Sequence, residues 1–330
     1  MKSYRKQIFF KSAIMIIATF LLMAVSSGCE GNKLSTQEKS ITVKVIVKKS
    51  NHNYWSVVEL GAEAAGKEFG VTIDYEGPTD EKDIEGQIRM VNEAIEENAD
   101  ALVLAASDYT KLVGVAEKAV SKNIPVIIID SELKSDKMMS FIGTDNVDAG
   151  NKLGETLVQK VGDNCSIAVI SFVKGAASAV QREEGLYETL SKYPDIKVLS
   201  KEYSNSDEDI AQQLTESLVE KYPEMDAVVC LNAYGTVGTA RAIEKLGLAG
   251  KVKVIGFDST PEEVSFVEKD VIQSLVIQNP FSMGYQGVKY ALDAIKDEPI
   301  PKLVNTGSEV IDKNNMYKPE NQKLVFPFIN

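Results

Sequence analysis

Short runs of β-branched and apolar residues alternate with segments of helical periodicity from residue 40 onward. The apolar runs are largely continuous, which is typical of strands that are buried on both faces of a sheet. The predicted strands are 42–47, 71–75, 101–104, 125–129, 166–172, 196–199, 227–231, 252–257 and 273–277. The predicted helices are 57–69, 84–96, 112–120, 149–161, 180–192, 210–220, 237–246 and 284–295.

Strands that alternate with helices in this way build parallel sheets with helices on both faces. One series of such units ends near residue 144, and a second series of similar size begins directly after it. We therefore predict an α/β fold with two doubly wound parallel-sheet lobes, each with its own sheet.

The first 28 residues differ in pattern from the rest of the chain. Lys2, Arg5, Lys6 and Lys11 precede an apolar stretch at 13–25. This stretch is shorter than the roughly 20 residues that a membrane-spanning helix needs. A basic start followed by a short apolar stretch is typical of a signal peptide.

The apolar stretch ends in Ser26-Ser27-Gly28-Cys29, which resembles a bacterial lipobox, with Ser26 at the position where Leu is usual. We therefore predict a signal peptide at 1–28, lipidation of Cys29 and a polar tether at 29–40. The protein would then be anchored by lipid at the extracytoplasmic face of the cell membrane. The alternative is an uncleaved amphipathic or signal-anchor helix.

Composition narrows the classes of function. The 330 residues are 44% hydrophobic and 25% charged, as in an ordinary globular protein. The 36 Lys and Arg against 48 Asp and Glu give a net charge of −12, which argues against nucleic acid as a partner. One His and three Cys are too few for a His-rich metal site, a zinc ribbon or a disulfide scaffold. We predict no metal and no cofactor, and we interpret Cys230 as a small buried hydrophobe.

Polar residues follow directly after many of the predicted strands. In open parallel sheets, ligands bind beyond the carboxyl ends of the strands, so these positions are the candidates for a binding site. They are residues 48–55, 107–108, 130–131, 174–182, 232, 258 and 278–279.

Six of these segments, in this order, resemble the type I periplasmic binding proteins, in the ribose/galactose branch of sugar-binding lipoproteins of ABC transporters. They are 51–55 (NHNYW), 129–130 (ID), 181–185 (QREEG), 231–232 (LN), 255–261 (IGFDSTP) and 277–278 (IQ). The resemblance covers about 42–311 and implies two lobes joined by a hinge. It also implies an N-terminal lobe of 41–144 plus 279–306 and a C-terminal lobe of 145–278 plus 307–330. A hydrolase or dehydrogenase is disfavoured by the residues themselves, because the chain has one His, no nucleophile elbow and no dinucleotide-binding loop.

The resemblance also implies which residues bind a ligand. Tyr54 and Trp55 match aromatic residues that cover a sugar, and His52 matches an Asn that bonds a hydroxyl. The predicted ligand-binding residues are Lys48, His52, Tyr54, Trp55, Asp130, Arg182, Asn232, Asp258 and Gln278. The chain departs from ribose binders at Lys48, Ala105 and Ser131, and an expected second-lobe aromatic has only Tyr203 or Asn205 near it, so we expect a monosaccharide rather than ribose in particular.

These residue types suit a sugar. An aromatic face covers the C–H face of a sugar ring, and carboxylates and amides match hydroxyls that donate once and accept twice. Contacts from both lobes would close the cleft around the ligand.

Several of these positions have a second interpretation. Trp55 could pack only within its own lobe, and His52 could lie in a solvated loop. Asp258 could cap the next helix, with Ser259 or Thr260 as the more usual cap. Arg182 could pair with Glu183 or Glu184 on a helix surface. The charge-dense residues 79–85 read as a solvated helix start.

The sequence leaves three functions open. The first is delivery of a monosaccharide to ABC permease subunits. The second is a sugar-sensing lipoprotein that signals to a membrane histidine kinase. The third is a furanone-type autoinducer receptor, which 74–79 (DYEGPT) resembles, although Arg182 and Asp258 favour a plain sugar. A repressor of the lactose-repressor family would need a helix-turn-helix where the signal peptide lies.

Overall fold

The computed structural model describes residues 40–327. The predicted signal peptide, the lipidation at Cys29 and all of the tether except Ser40 therefore lie outside the described residues. Within 40–327, no helix is both long enough and apolar enough to cross a membrane.

The strands form two six-stranded sheets. The first sheet has the order β11-β5-β4-β3-β1-β2, and all of its pairs are parallel. Its strands are β1 (Thr42–Ile46), β2 (Thr72–Glu76), β3 (Ala101–Leu104), β4 (Val126–Ile129), β5 (Ser140–Gly143) and β11 (Leu303–Asn305).

The second sheet has the order β12-β10-β9-β8-β6-β7, with only β12 antiparallel to its neighbour. Its strands are β6 (Ser166–Ser171), β7 (Lys197–Tyr203), β8 (Ala227–Cys230), β9 (Lys253–Phe257), β10 (Ser274–Ile277) and β12 (Glu309–Ile311). The predicted fold class of two parallel-sheet lobes is confirmed.

Helices cover both faces of each sheet, and each face has its own apolar cluster. The described helices are α1 (Asn53–Phe69), α2 (Ile84–Glu96), α3 (Val113–Ser121), α4 (Asn146–Val161), α5 (Ala177–Leu190), α6 (Glu208–Lys221), α7 (Ala233–Lys245), α8 (Pro261–Glu268), α9 (Pro280–Ile295) and α10 (Pro319–Val325). Cys165 and Cys230 are buried free thiols, and burial raises the pKa of Cys230 to about 12. The interpretation of Cys230 as a buried hydrophobe is thus confirmed.

The chain crosses between the two sheets at three places, after β5, after β10 and after β11. After the second crossing, α9 packs against α1 of the first lobe at very close range. A Cβ on Gly284 would lie 2.0 Å from the Val58 carbonyl oxygen, and one on Gly61 would lie 2.1 Å from that of Phe281. Glycine at both positions therefore permits the close approach of the two helices.

Several elements differ from the prediction, and the helices α8 and α10 were not predicted. The helix expected at 57 begins four residues earlier, at Asn53, because the His52 Nδ1 atom accepts a hydrogen bond from the Tyr54 N–H and caps it. The short strands β5, β11 and β12 were not predicted. β11 and β12 have only three residues each, and β5 (SFIG) lacks the continuous β-branched run that marks the other four-residue strands.

A candidate ligand-binding site between the two sheets

Eight of the nine predicted ligand-binding residues line one cavity between the lobes. They are Lys48, Tyr54, Trp55, Asp130, Arg182, Asn232, Asp258 and Gln278. Most of them lie within two residues of a strand's carboxyl end, where parallel strands of one sheet bring their following residues together.

Asp130 is the centre of the polar group that the first lobe contributes. Its Oδ2 atom lies 2.7 Å from the Lys48 ammonium, and its Oδ1 atom accepts a hydrogen bond of 2.8 Å from the Tyr54 hydroxyl. Burial raises the pKa of Tyr54 well above its usual range, and the negative charge of Asp130 adds to this effect. Tyr54 therefore keeps its proton and remains a donor.

Trp55 both packs in its own lobe and lines the cavity. It is 2% exposed and belongs to the apolar cluster of the first lobe. Its Nε1 atom donates a hydrogen bond of 3.1 Å to Glu81, and its ring meets the Tyr54 ring edge-on at 5.0 Å. The two interpretations of Trp55 describe the same placement, because its indole ring reaches from the lobe interior to the cavity wall.

Arg182 is 3% exposed, so its interpretation as a surface residue paired with Glu183 or Glu184 is wrong. Its Nε atom donates to Asn146 Oδ1 at 2.9 Å, and its Nη1 atom donates to the Leu231 carbonyl at 2.7 Å. The guanidinium carbon lies 3.7 Å from the centre of the Phe257 ring. These contacts fix the guanidinium plane and, among the described residues, leave its Nη2 group for a ligand.

Asp258 accepts two hydrogen bonds, from the Ala233 N–H at 3.0 Å and from Gln278 Nε2 at 2.8 Å. Gln278 in turn accepts a bond of 2.8 Å from the Thr144 hydroxyl, beside the first crossing between the lobes. Burial raises the pKa of Asp258, and the positive charge of Arg182 opposes that rise.

The interpretation of Asp258 as the cap of the following helix is wrong. That helix, α8, is capped by Thr260, which forms a reciprocal capping box with Glu263. Asp258 instead bonds the first N–H of α7, and the left-handed backbone of Asp258, with φ of 78°, is one that Asp adopts more readily than most residues.

Asn232 connects the cavity to the start of α7. Its Oδ1 atom caps that helix by accepting from the Gly235 N–H at 2.9 Å, while its Nδ2 atom donates to the Ser206 hydroxyl at 3.1 Å. Asn232 therefore has a structural bond as well as a face on the cavity.

His52 is the one predicted residue that does not line the cavity. Its ring stacks on the Tyr234 ring at 3.8 Å, and its Nε2 atom lies 3.6 Å from a carboxylate oxygen of Glu208. Its side chain is only 8% exposed, so the solvated-loop interpretation is wrong. His52 therefore contacts the cavity residue Tyr234 through ring stacking.

Most of this chain matches a known protein family. The sequence profile of the periplasmic binding protein domain matches residues 43–299. The chain belongs to this family. The family is one of extracytoplasmic substrate-binding proteins rather than enzymes, so the resemblance to type I periplasmic binding proteins and the prediction that the chain is not an enzyme are confirmed.

Two relatives and two solved structures show the extent of the similarity. The D-allose-binding periplasmic protein of Escherichia coli is 27% identical over 267 residues, which are 78% of this chain and 86% of that protein. The D-ribose/D-allose-binding protein of Pseudomonas aeruginosa is 29% identical over 256 residues, or 74% of this chain and 79% of that one.

A carbohydrate transporter solute binding protein from Agrobacterium radiobacter, solved with D-arabinose, has a TM-score of 0.84 and 31% identity, covering 87% of this chain and 99% of that one. An ABC transporter solute binding protein from Agrobacterium vitis, solved with D-fucose, has a TM-score of 0.84 and 34% identity, covering 86% and 100%.

The cavity of this periplasmic binding protein is also lined by Ser178, from the candidate segment 174–182, and by four residues that the sequence did not indicate, namely Glu81, Phe172, Ala233 and Tyr234. Phe172 was expected to end a strand, but β6 ends at Ser171, and Phe172 is an aromatic residue of the second lobe that lines the cavity. The position after a strand would have been the signal for Phe172.

The interpretation of 79–85 as a solvated helix start is wrong for Glu81. It is 5% exposed, and its two carboxylate oxygens accept from Trp55 Nε1 at 3.1 Å and from the Ser206 hydroxyl at 2.6 Å. Trp55 belongs to the first lobe and Ser206 to the second, so Glu81 links the lobes beside the cavity. Lys48 makes a second link, to the Ser178 hydroxyl at 3.4 Å.

Proposed function

We propose that this periplasmic binding protein captures a monosaccharide in the cavity between its lobes and delivers it to an ABC importer. The observation that carries the proposal is the convergence of Lys48, Asp130, Arg182 and Asp258, buried and from both lobes, on a cavity with an aromatic wall. Few ligands other than a small polyhydroxylated ring need so many donors and acceptors beside flat apolar faces.

The chemistry of the cavity matches both surfaces of a sugar. Trp55 and Phe172 offer apolar faces to C–H groups, while Asp130 and Asp258 accept hydroxyl protons and Arg182 donates to oxygens. The two solved relatives hold D-arabinose and D-fucose, which supports a pentose or a hexose as the ligand.

Ligand binding would couple to lobe closure. Asp130 and Tyr54 belong to the first lobe, and Arg182 and Asp258 belong to the second. A sugar that bonds all four stabilises the closed arrangement over an open one by its preference for that state. Both solved relatives are described as transporter solute binding proteins, which supports delivery to permease subunits over signalling to a histidine kinase.

The membrane attachment belongs to the same proposal. A signal peptide at 1–28 would direct export, lipid on Cys29 would anchor the protein, and 29–40 would tether two lobes, one of 41–144 plus 279–306 and one of 145–278 plus 307–330. Metabolic labelling with an alkyne fatty acid tests the anchor. Label that persists after Cys29→Ser contradicts it.

A panel of sugars tests the ligand class. The protein as cells produce it, held in a detergent without a sugar headgroup, would be heated with D-ribose, D-allose, D-arabinose, D-fucose, D-galactose, an amino acid mixture and adenosine. We expect one or more sugars to raise the unfolding temperature. Stabilisation by adenosine or amino acids but by none of the sugars contradicts the proposal.

A further inference from the structure

The hydroxyl of Tyr234 is buried in the cavity wall without an acceptor. Tyr234 is 4% exposed and lines the cavity, and within 40–327 its O–H has no acceptor, while the Trp55 indole N–H approaches its oxygen from the donor side. Folded proteins rarely leave a buried polar group unpaired, and those that remain often face a ligand or water. This donor is therefore available to whatever fills the cavity.

The position of this hydroxyl is fixed from both lobes. Tyr234 lies in the first turn of α7, whose cap is Asn232, in the second lobe. From the first lobe, the His52 ring stacks on the Tyr234 ring at 3.8 Å and the Lys49 ammonium lies 4.6 Å from its centre. The ring can therefore not turn its hydroxyl away without losing these contacts.

A carboxylate with spare capacity, Glu81, accepts from the same Trp55 indole N–H and acts on the Tyr234 hydroxyl through its charge. Glu81 lines the same cavity, and each of its oxygens accepts one hydrogen bond, from Trp55 and from Ser206. A carboxylate oxygen has two acceptor positions, so Glu81 can take a further proton donor. Burial raises the pKa of Tyr234, and the charge of Glu81 adds to this effect, so the tyrosine stays protonated.

We propose that Tyr234 and Glu81 form a subsite for one hydroxyl group of the ligand, in which Tyr234 donates to the hydroxyl oxygen and Glu81 accepts the hydroxyl proton. A hydroxyl is the group that both accepts and donates, so it satisfies both residues, whereas a ring oxygen or a C–H group leaves one unpaired. This inference rests on the proposed function and adds that the protein discriminates against the deoxy sugar that lacks this hydroxyl.

The test combines Tyr234→Phe with single-hydroxyl deletions in the sugar. The dissociation constants of the best sugar of the panel and of its monodeoxy derivatives would be measured by calorimetry on the full chain. We expect Tyr234→Phe to weaken binding of the parent sugar about tenfold, the size of one hydrogen bond. One deoxy derivative should bind wild type and variant within about twofold of each other, because it lacks the bonded oxygen.

The variant keeps the ring and its stacking, so its unfolding temperature should stay within about 2 °C of wild type. Tyr290→Phe is the matched control, since Tyr290 lies on α9 and does not line the cavity. Glu81→Gln should weaken binding of the parent sugar. It should bind the same deoxy derivative with a dissociation constant close to that of wild type.

Two results would overturn the subsite. Either Tyr234→Phe binds the parent sugar as wild type does, or it weakens the parent and every deoxy derivative equally, as a merely structural ring would. A wild-type protein that binds no sugar of the panel refutes the proposed function and the subsite with it. Sugar binding that is indifferent to Tyr234→Phe refutes only the subsite.

Discussion

Replacement of Asp258 by Asn separates ligand binding from folding. The carboxylate accepts from the Ala233 N–H and from Gln278, and both bonds lie in the interior of the site. An amide has the same shape and keeps one acceptor oxygen. Gln278 can turn its own amide over, since its other partner, the Thr144 hydroxyl, both donates and accepts. The hydrogen-bond network therefore survives Asp258→Asn.

Asp258→Asn removes the negative charge, and the loss of this charge sets the size of the effect on sugar affinity. A charge-assisted hydrogen bond from a sugar hydroxyl to Asp258 contributes about 1.5–3 kcal/mol, or about 10- to 150-fold in the dissociation constant. The free energy of unfolding should change by less than about 1 kcal/mol, because the variant loses the attraction to Arg182 and also loses the cost of burying the charge.

Calorimetric titration with the best sugar of the panel measures the first quantity, and urea unfolding measures the second. Asp148→Asn is the matched control, because Asp148 lies on α4 of the same lobe with its side chain 52% exposed. We expect the control to bind as wild type does. Binding by Asp258→Asn within about threefold of wild type would show that this carboxylate does not hold the ligand.

Three further predictions concern pH and packing. Burial raises the pKa of Asp258, so on acidification the sugar affinity should begin to fall at a higher pH than it would if Asp258 had an ordinary pKa. The same fall in affinity in the Asp258→Asn variant would contradict this prediction. Gly284→Ala should lower the free energy of unfolding by about 1–3 kcal/mol, because its Cβ would lie 2.0 Å from the Val58 carbonyl oxygen. The control Gly114→Ala should raise the free energy of unfolding by about 0.5–1 kcal/mol, because a Cβ there has nothing within 4 Å. Equal effects in urea unfolding would refute the account of α1–α9 packing. Burial raises the pKa of Glu263 well above its usual range, so stability should fall as the pH rises between its unfolded and folded pKa values. Glu263→Gln should flatten this part of the profile, and parallel profiles of the two proteins would refute the reasoning.

Much of the site was predictable because topology decides which residues meet. Asp130, Asn232, Asp258 and Gln278 follow strands, and the carboxyl ends of parallel strands share one edge of a sheet. No packing detail is needed for that inference. Arg182 ends the candidate segment 174–182, but only the resemblance singled it out, since an Arg within a helix gives no sign of burial in its own sequence.

The residues that were missed depend on contacts between the lobes. Glu81 stands among charged neighbours, and only its bonds to Trp55 and Ser206 distinguish it from a solvated acid. Tyr234 lies between the predicted strand 227–231 and the predicted helix 237–246, and its ring is held by the first-lobe loop that contains His52. Periodicity describes each element by itself and carries no information on which loops meet when two lobes close.

A crystal structure of the protein with the sugar that stabilises it most is the most direct measurement of the central claim. The account predicts the sugar between the two sheets, with its hydroxyls bonded to Asp130 from the first lobe and to Arg182 and Asp258 from the second. A sugar bound to one lobe only, or on a surface away from these three side chains, would contradict it.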